Sequence, residues 1–275
     1  MNYIEKEKDI INITITPNTI ESLKDDFKSL GLKQGDIILV HSSLSQLGWT
    51  VGGPVSVIDA LISVLGEEGT LIMPTFSSGS TDPKDWQYPP VPKEWFPIIR
   101  EQMPAFHIDK TPTRGMGIIA ETFRKYPGVV RSNHPVSSFS AWGKHAHYIT
   151  QDHTLESDLG EGSPLARIYE LDGKVLLLGV THSSNTSIHL AEYRSSYKEK
   201  HFKPNGSSII VNGKRQWVQW NELNLITDDF EDIGNDFETI MSILPKKVGL
   251  ADARLFSQRS LVDFANDWIS KNRTQ

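Results

Sequence analysis

Apolar residues recur at two different spacings along the chain, and the alternation of these spacings predicts an α/β fold. Apolar positions within 20–30 repeat at helical spacing until Gly31 ends the pattern. Thr16 followed by Pro17 predicts the start of this helix, because a capping residue and a proline in the first turn are typical of helix N-termini. The continuous apolar run 37–40 then predicts a buried strand.

Two further apolar runs extend this pattern into a predicted sheet. After Gly52-Gly53, a helical pattern over 57–65 leads to a second strand at 70–73, and a third strand follows at 174–179. Strands that alternate with helices in this way are typical of parallel sheets with crossover helices. We therefore expect an α/β fold with a largely parallel central sheet, flanking helices and a smaller antiparallel insertion.

Three segments depart from the alternation. The stretch 77–104 is rich in proline and aromatic residues, which predicts an irregular loop or lid over the body of the fold. Short β-like runs at 206–220 flank Asn212-Gly213, a strong hairpin signal and the expected antiparallel insertion. Apolar positions from Gly249 onward predict a terminal helix. All of 1–275 is expected to form a single domain.

Composition limits the classes of function. The chain has no cysteine, which excludes disulfide frameworks, thiolate zinc sites and cysteine nucleophiles and fits a reducing, cytoplasmic compartment. No apolar run reaches the ~18 residues of a membrane helix, so no membrane partner is expected. The formal net charge of -6 disfavours nucleic acid as a partner and permits a cationic ligand.

Two segments carry candidate chemistry. The loop His41-Ser42-Ser43-Leu44-Ser45 follows the first predicted strand, and its backbone N–H groups could hold a phosphate or diphosphate. His189 and Glu192 lie three residues apart near the start of a predicted helix, so an imidazole and a carboxylate share one helix face.

Two other catalytic classes fit the sequence poorly. His145, His147 and His153 suggest a metallohydrolase, but four residues separate His147 from Asp152 and no HExxH occurs, so no metal is expected. Neither Ser42 nor Ser163 lies in the G-x-S-x-G motif of a serine hydrolase.

Taken together, these segments resemble the aminoglycoside 3-N-acetyltransferase family. The resemblance covers nearly the whole chain, through VHSSLSQLGWTVGG (40–53), GTLIMPTF (69–76), TPTRGMG (111–117), RSNHPVSSFSAWG (131–143), GEGSPLARI (160–168), LLLGVTHSSNTSIHLAEY (176–193) and VGLADARLF (248–256). It implies one α/β domain that transfers an acetyl group from acetyl-CoA to an amine of an aminoglycoside, a small polycationic substrate. A homodimer is also expected.

The resemblance assigns roles to particular residues. His189 is implied as the general base, since an amine must lose a proton as it attacks the thioester. Glu192 is implied as its catalytic carboxylate or as a substrate contact, and Asp229 and Glu231 as further substrate-binding acids. The implied acetyl-CoA contacts are His41, Ser42, Ser43, Leu44, Ser45, Arg114, Met116, His134, Ser137 and Ser138.

One departure from the family leaves the acceptor open. Family members with strong resistance activity often carry an acidic residue just after the second strand, where this chain has Ser77-Ser78-Gly79-Ser80. An acetyl-CoA-dependent N-acetyltransferase of another small amine or amino sugar is therefore an alternative. A non-catalytic CoA-binding module and a metallohydrolase are the remaining alternatives.

Overall fold

A computed structural model describes residues 3–273, in which helices and strands alternate as the sequence predicts. The helices are α1 (Tyr3–Ile13), α2 (Ile20–Leu30), α3 (Pro54–Leu65), α4 (Phe96–Gln102), α5 (Gly117–Phe123), α6 (Ala146–Thr150), α7 (Pro164–Glu170), α8 (Ser187–Arg194), α9 (Phe230–Met241) and α10 (Gln258–Asn272). The strands are β1 (Ile37–Ser42), β2 (Thr70–Pro74), β3 (Val130–Arg131), β4 (Phe139–Gly143), β5 (Lys174–Leu178), β6 (Phe202–Val211), β7 (Lys214–Leu223), β8 (Lys246–Val248) and β9 (Ala251–Ser257).

The central sheet has seven strands in the order β3-β4-β2-β1-β5-β9-β8. Within the described residues β1 pairs in parallel with β2 and β5, while the other four neighbouring pairs are antiparallel. The prediction of an α/β fold is confirmed, but the prediction of a largely parallel sheet is wrong. The three strands predicted from apolar runs are the parallel centre of a mixed sheet, and antiparallel strands extend it on both sides.

The predicted terminal helix begins later than expected. Residues 251–257 form β9, and α10 begins at Gln258. Ala251 and Ala253 are buried while Asp252 between them is exposed, which is the two-residue period of a strand. The first helix of the apolar pattern also starts later than Thr16, because Thr19 caps α2 by accepting a hydrogen bond from the Ser22 N–H.

Both faces of the sheet are buried. Alternate residues of β1 and β5 face two cores, Leu39 and Val175 on one side and Ile38 and Leu176 on the other. Helices α2, α3 and α5 contribute to the second core, and α6 to α10 contribute to the first. The rigid strands therefore fix where their carboxyl ends lie.

The predicted antiparallel hairpin is confirmed, and the stretch predicted to be irregular contains short helical segments. The hairpin of β6 and β7 spans 202–223, somewhat more than the expected 206–220, and turns at Asn212-Gly213, both with positive φ. The stretch 77–104 consists of short 3-10 turns followed by α4. Its Asp82 is buried and bonds Arg100 at 2.7 Å, which holds the stretch together.

Within residues 3–273, no helix is both long enough and apolar enough to cross a membrane.

Candidate functional site

The parallel strands β1 and β5 end at the same edge of the sheet, and polar segments follow both. His41 and Ser42 lie opposite Leu177 and Leu178 of β5, and the Ser43 N–H donates to the Leu178 carbonyl at 3.0 Å. The loop 43–53 continues from β1, and the turn 182–184 and α8 continue from β5. Carboxyl ends of parallel strands are where α/β proteins commonly bind ligands.

A cavity of about 660 Å³ opens beside the loop that follows β1. This volume is within the range of small-molecule sites. We call it the β1-loop cavity, and it is lined by Lys6, Glu7, Ile10, Ser42, Ser43, Leu44, Ser45, Gly48, Trp49, Thr50, Gly53, Pro54, Gly115, Met116, Gly117, Ile118, Val180 and Ser184. It brings together five of the predicted cofactor contacts: Ser42, Ser43, Leu44, Ser45 and Met116.

His41 lines a second cavity of about 300 Å³, which shares Ser42, Met116 and Ser184 with the first. Burial, and then the nearby imidazoles of His189 and His182, lower the pKa of His41 to about 3. Its Nε2 lies 3.4 Å from the Thr186 hydroxyl, which also lines this cavity. His41 is therefore a neutral, buried imidazole beside the predicted base.

His189 and Glu192 form a buried pair on α8. His189 Nδ1 lies 2.6 Å from Glu192 Oε2, and their side chains are 10% and 0% exposed. A carboxylate only accepts hydrogen bonds, so Nδ1 carries the proton and Nε2 has the free lone pair. Phe230 packs against the His189 ring with ring centroids 4.8 Å apart. The imidazole is thus held in the tautomer that a general base requires.

The second oxygen of Glu192 is engaged by residues far away in the sequence. Glu192 Oε1 accepts from the Ile226 N–H at 2.9 Å and from Arg273 Nη1 at 2.6 Å. Arg273 also donates to both carboxylate oxygens of Asp229, at 2.6 and 2.7 Å. Glu192 therefore fixes the orientation of the His189 ring, and its own side chain is completely buried.

Replacing Arg273 with alanine should lower the free energy of unfolding by about 3 kcal/mol, because loss of one partner leaves the Glu192 carboxylate buried without compensation. Denaturant unfolding of the variant measures this change. Lys271→Ala is the control, since Lys271 is exposed at the end of α10, two residues before Arg273. Equal stability of the two variants would contradict the role of Arg273.

The two acids predicted as substrate contacts are bonded within the protein. Asp229 pairs with Arg273, and Glu231 accepts from the Thr181 hydroxyl and from the Ser183 N–H at 2.9 Å. Although burial acts against it, these hydrogen bonds hold the pKa of Glu231 below its usual range. Both acids therefore organise the segments around His189 in this structure.

A second buried histidine and carboxylate pair lies behind the turn that follows β5. His182 Nε2 donates to Glu238 Oε1 at 2.9 Å, and Asn185 donates to His182 Nδ1 at 3.2 Å. Burial lowers the pKa of His182 in spite of Glu238. A Cβ at Gly234 would lie 1.9 Å from the His182 ring, so only glycine lets α9 approach closely enough to form this pair. The pair fixes the turn 182–184 against α9.

Three of the predicted cofactor contacts are not brought to the β1-loop cavity. His134 and Ser138 are fully buried and Ser137 nearly so. His134 Nδ1 accepts from the Ser137 N–H at 2.9 Å, Ser137 Oγ donates to Asp158 at 2.9 Å, and Ser138 accepts from Arg131 at 2.9 Å. These groups precede β4, and their hydrogen bonds are made inside the protein.

Arg114 also differs from its expected position. Its side chain points to the irregular stretch 77–104, where Nη2 donates to the Tyr88 carbonyl at 3.1 Å. It lines a cavity of about 350 Å³ between this stretch and the hairpin, which we call the hairpin pocket. Met116, two residues later, lines the β1-loop cavity.

The hairpin pocket contains acidic residues that the sequence analysis did not single out. It is lined by Ser78, Thr81, Asp85, Trp86, Gln87, Tyr88, Arg114, Lys203, Asn205 and Glu222. Burial, and then the nearby Asp158 carboxylate, raise the pKa of Glu222 to about 7, against the hydrogen bonds from Asn205 and Trp220. The predicted hairpin was the one feature of the sequence that could have pointed to these acidic residues.

The raised pKa of Glu222 should make stability depend on pH. Between about pH 4.5 and 7 the folded chain keeps a proton at Glu222 that the unfolded chain loses, so this group destabilises the fold progressively as pH rises. The free energy of unfolding of Glu222→Gln, taken relative to that of the unchanged protein, should therefore be higher at pH 8 than at pH 5. Denaturant unfolding at both pH values checks this, and a pH-independent difference would refute it.

The histidines of the metallohydrolase alternative have separate surroundings. His153 is buried between the Ser132 hydroxyl at 3.0 Å and the Asp158 carbonyl at 2.6 Å, whereas His147 is exposed. In the described part of the chain, no group of three or more His, Cys, Asp or Glu side chains has the arrangement of a metal site.

Comparison with known proteins identifies the family. The family model described as aminoglycoside 3-N-acetyltransferase matches residues 39–270. The chain belongs to the aminoglycoside 3-N-acetyltransferase family. Proteins with similar sequences include the SPβ prophage-derived aminoglycoside N(3')-acetyltransferase-like protein YokD of Bacillus subtilis (strain 168), 50% identical over 96% of this chain and 97% of YokD. Aminoglycoside N(3)-acetyltransferase VII of Streptomyces paromomycinus is 34% identical over 93% and 92%.

Solved structures of similar proteins have the same fold. The crystal structure of Bacillus subtilis YokD matches with a TM-score of 0.94, covering 96% of this chain and 98% of that one. AAC-IIIb, described as a binary complex with CoASH, matches at 0.84 with 30% identity over 94% and 99%. AAC-VIa bound to sisomicin matches at 0.84 with 28% identity over 94% and 100%.

Proposed function

We propose that this protein transfers the acetyl group of acetyl-CoA to an amino group, at the 3-N position, of an aminoglycoside in the cytoplasm. The observation that carries the proposal is the buried pair of His189 and Glu192, separated by 2.6 Å, next to cavities at the ends of β1 and β5. In a member of this family, that pair supplies the base that an N-acetyltransferase needs.

The acetyl donor fits the β1-loop cavity. Backbone N–H groups at the start of α3, next to Gly53 and Pro54, carry the partial positive charge of a helix N-terminus, which favours phosphate. Apolar side chains of Leu44, Met116 and Val180 line the same cavity and suit the pantetheine chain. Acetyl-CoA supplies the acetyl group as a thioester, and a relative in this family has been solved with CoASH.

The proposed reaction is a direct transfer in a ternary complex. The attacking nitrogen bonds to the acetyl carbon, its proton passes to Nε2 of His189, and the carbon–sulfur bond breaks to release the CoA thiolate, which then takes up a proton. Glu192 accepts the Nδ1 hydrogen bond throughout and stabilises the imidazolium form of His189. The chain has no cysteine, so an acetyl-cysteine intermediate has no residue to form on.

For the acceptor, we propose the hairpin pocket. Tyr193 lies one helical turn after His189 on α8, and its hydroxyl accepts from the N–H of Leu223, the neighbour of Glu222, at 3.4 Å, which links the helix of the base to the hairpin. Asp85 and Glu222 offer carboxylates to ammonium groups, and a family member has been solved with sisomicin. In this proposal Asp229, Glu231 and Glu192 shape the site instead of binding the acceptor.

Release of the CoA thiol tests the proposal. Purified protein is mixed with acetyl-CoA, a thiol-reactive dye and a panel of aminoglycosides, and the absence of cysteine keeps the dye from labelling the protein itself. We expect acceptor-dependent thiol release and a product heavier by one acetyl group. No release with any aminoglycoside would refute the assigned acceptor class.

One observation favours the alternative acceptor, a small amine or amino sugar with fewer charges. Arg114 and Lys203 line the hairpin pocket together with Asp85 and Glu222, and the raised pKa of Glu222 leaves it partly protonated at neutral pH, so the pocket has no net negative charge and attracts a polycation less strongly. Turnover of amino sugars or polyamines in a mixed amine library, followed by mass spectrometry, with no turnover of aminoglycosides would select this alternative. A homodimer stays a prediction.

A further inference from the structure

The first helix of the chain forms one wall of the β1-loop cavity. Lys6, Glu7 and Ile10 of α1 line it, opposite the loop that follows β1. Lys6 and Ile10 are four residues apart and share one helix face, whereas Lys8 lies on another face and does not line the cavity. The helix therefore presents a particular face to whatever occupies the cavity.

The helix is attached to the rim of the same cavity. The Thr14 hydroxyl accepts from the Trp49 N–H at 2.8 Å and donates to the Ile10 carbonyl at 2.6 Å. Asn18 continues this attachment, because its N–H donates to the Trp49 carbonyl at 2.9 Å and its carbonyl accepts from Val51 at 2.9 Å. Trp49 itself lines the cavity, so the residue to which α1 is anchored is also part of the cavity wall.

Charge distinguishes Lys6 from the other residues of the wall. Among the described residues that line the cavity, Lys6 is the one basic side chain and Glu7 the one acidic side chain. Lys6 is exposed, and within the described chain its Nζ forms no hydrogen bond or ion pair, which leaves all three donors for a ligand. CoA carries a diphosphate and a 3′-phosphate, and a lysine is a common point-charge contact for such groups.

We propose that Lys6 binds a phosphate group of CoA and that α1 is thereby part of the cofactor site. The inference rests on the proposed use of acetyl-CoA. It adds a binding residue outside residues 39–270, which the family model matches. Lys6 contributes to cofactor affinity, whereas the chemistry of transfer stays with His189.

Calorimetric titration with CoA, dephospho-CoA and pantetheine tests this inference. We expect Lys6→Ala to raise the Kd for CoA about 5- to 10-fold, because one exposed but charge-assisted contact is lost. The difference should shrink as salt is added. Lys6→Arg should retain most of the affinity, and Lys8→Ala is the matched control with an unchanged Kd. Pantetheine, which has no phosphate, should bind the unchanged protein and Lys6→Ala equally.

The possible outcomes distinguish a failure of the inference from a failure of the proposed function. If the unchanged protein binds no CoA, the proposed function fails. If it binds CoA and Lys6→Ala binds equally well, or if Lys6→Ala weakens pantetheine as much as CoA, the phosphate contact is refuted while the proposed function stands. A Lys6→Ala effect that persists with dephospho-CoA assigns the contact to the diphosphate, and an effect that disappears assigns it to the 3′-phosphate.

Discussion

Replacing His189 with alanine lowers kcat by at least about 10²-fold and leaves the Kd for acetyl-CoA nearly unchanged, because a general base acts in the transition state. The two effects separate because His189 lies on α8, whereas the β1-loop cavity is lined by the loop after β1, α1 and residues 115–118. Thiol release measures kcat, and calorimetry measures the cofactor Kd.

The control for this variant is His147→Ala, since His147 is exposed on α6 and belongs to neither cavity. A near-normal kcat for His189→Ala would exclude His189 as the base. A variant whose only defect is a weaker cofactor Kd would instead assign His189 to the binding of acetyl-CoA.

Glu192→Gln should reduce kcat by about 10²-fold or more although its shape is nearly unchanged. A glutamine amide can donate to Nδ1 of His189, which selects the tautomer with the proton on Nε2 and removes the lone pair that the amine needs. The neutral amide also fails to stabilise the imidazolium form. Arg273 keeps its bidentate partner Asp229, so the end of α10 stays attached to the segment before α9.

Steady-state kinetics and thermal unfolding of this variant have to be read together. Glu199→Gln is the matched control, because Glu199 is exposed and lies seven residues further along the chain. If Glu192→Gln unfolds at nearly the normal temperature and still turns over at the normal rate, the carboxylate does not position the base.

Local spacing predicted that His189 and Glu192 share one face of a helix, whereas their catalytic roles came from the resemblance and stay predictions. A spacing of three residues places His189 and Glu192 on a common face of one helix, and in the structure His189 Nδ1 lies 2.6 Å from Glu192 Oε2. The position of the loop after β1 was also predictable. A buried strand with a neighbour on each side is held in place, and the polar residues that follow it therefore lie at the edge of the sheet. Neither inference needed contacts between distant segments.

Contacts between distant segments account for what the sequence did not reveal. Arg273 reaches Glu192 from 81 positions later, and no spacing rule connects them. Ser138 was assigned to the cofactor by resemblance, but its hydroxyl donates to the carbonyl of Thr75 at 2.9 Å, 63 positions earlier in the sequence. The mixed character of the sheet was missed because polar residues interrupt the apolar patterns of β4 and β9, as Ser140 does in β4 and Asp252 and Arg254 do in β9.

The bond between Arg273 and Glu192 has a consequence for the order of folding. During synthesis, α8 and its histidine leave the ribosome about 80 residues before their guanidinium partner, a delay of roughly 4 to 16 seconds at typical elongation rates of ~5–20 residues per second. Until residue 273 has been made, the carboxylate of Glu192 lacks its positive partner, and burying it is unfavourable. The buried pair of His189 and Glu192 is thus among the last features of the chain to form, after the sheet that supports it.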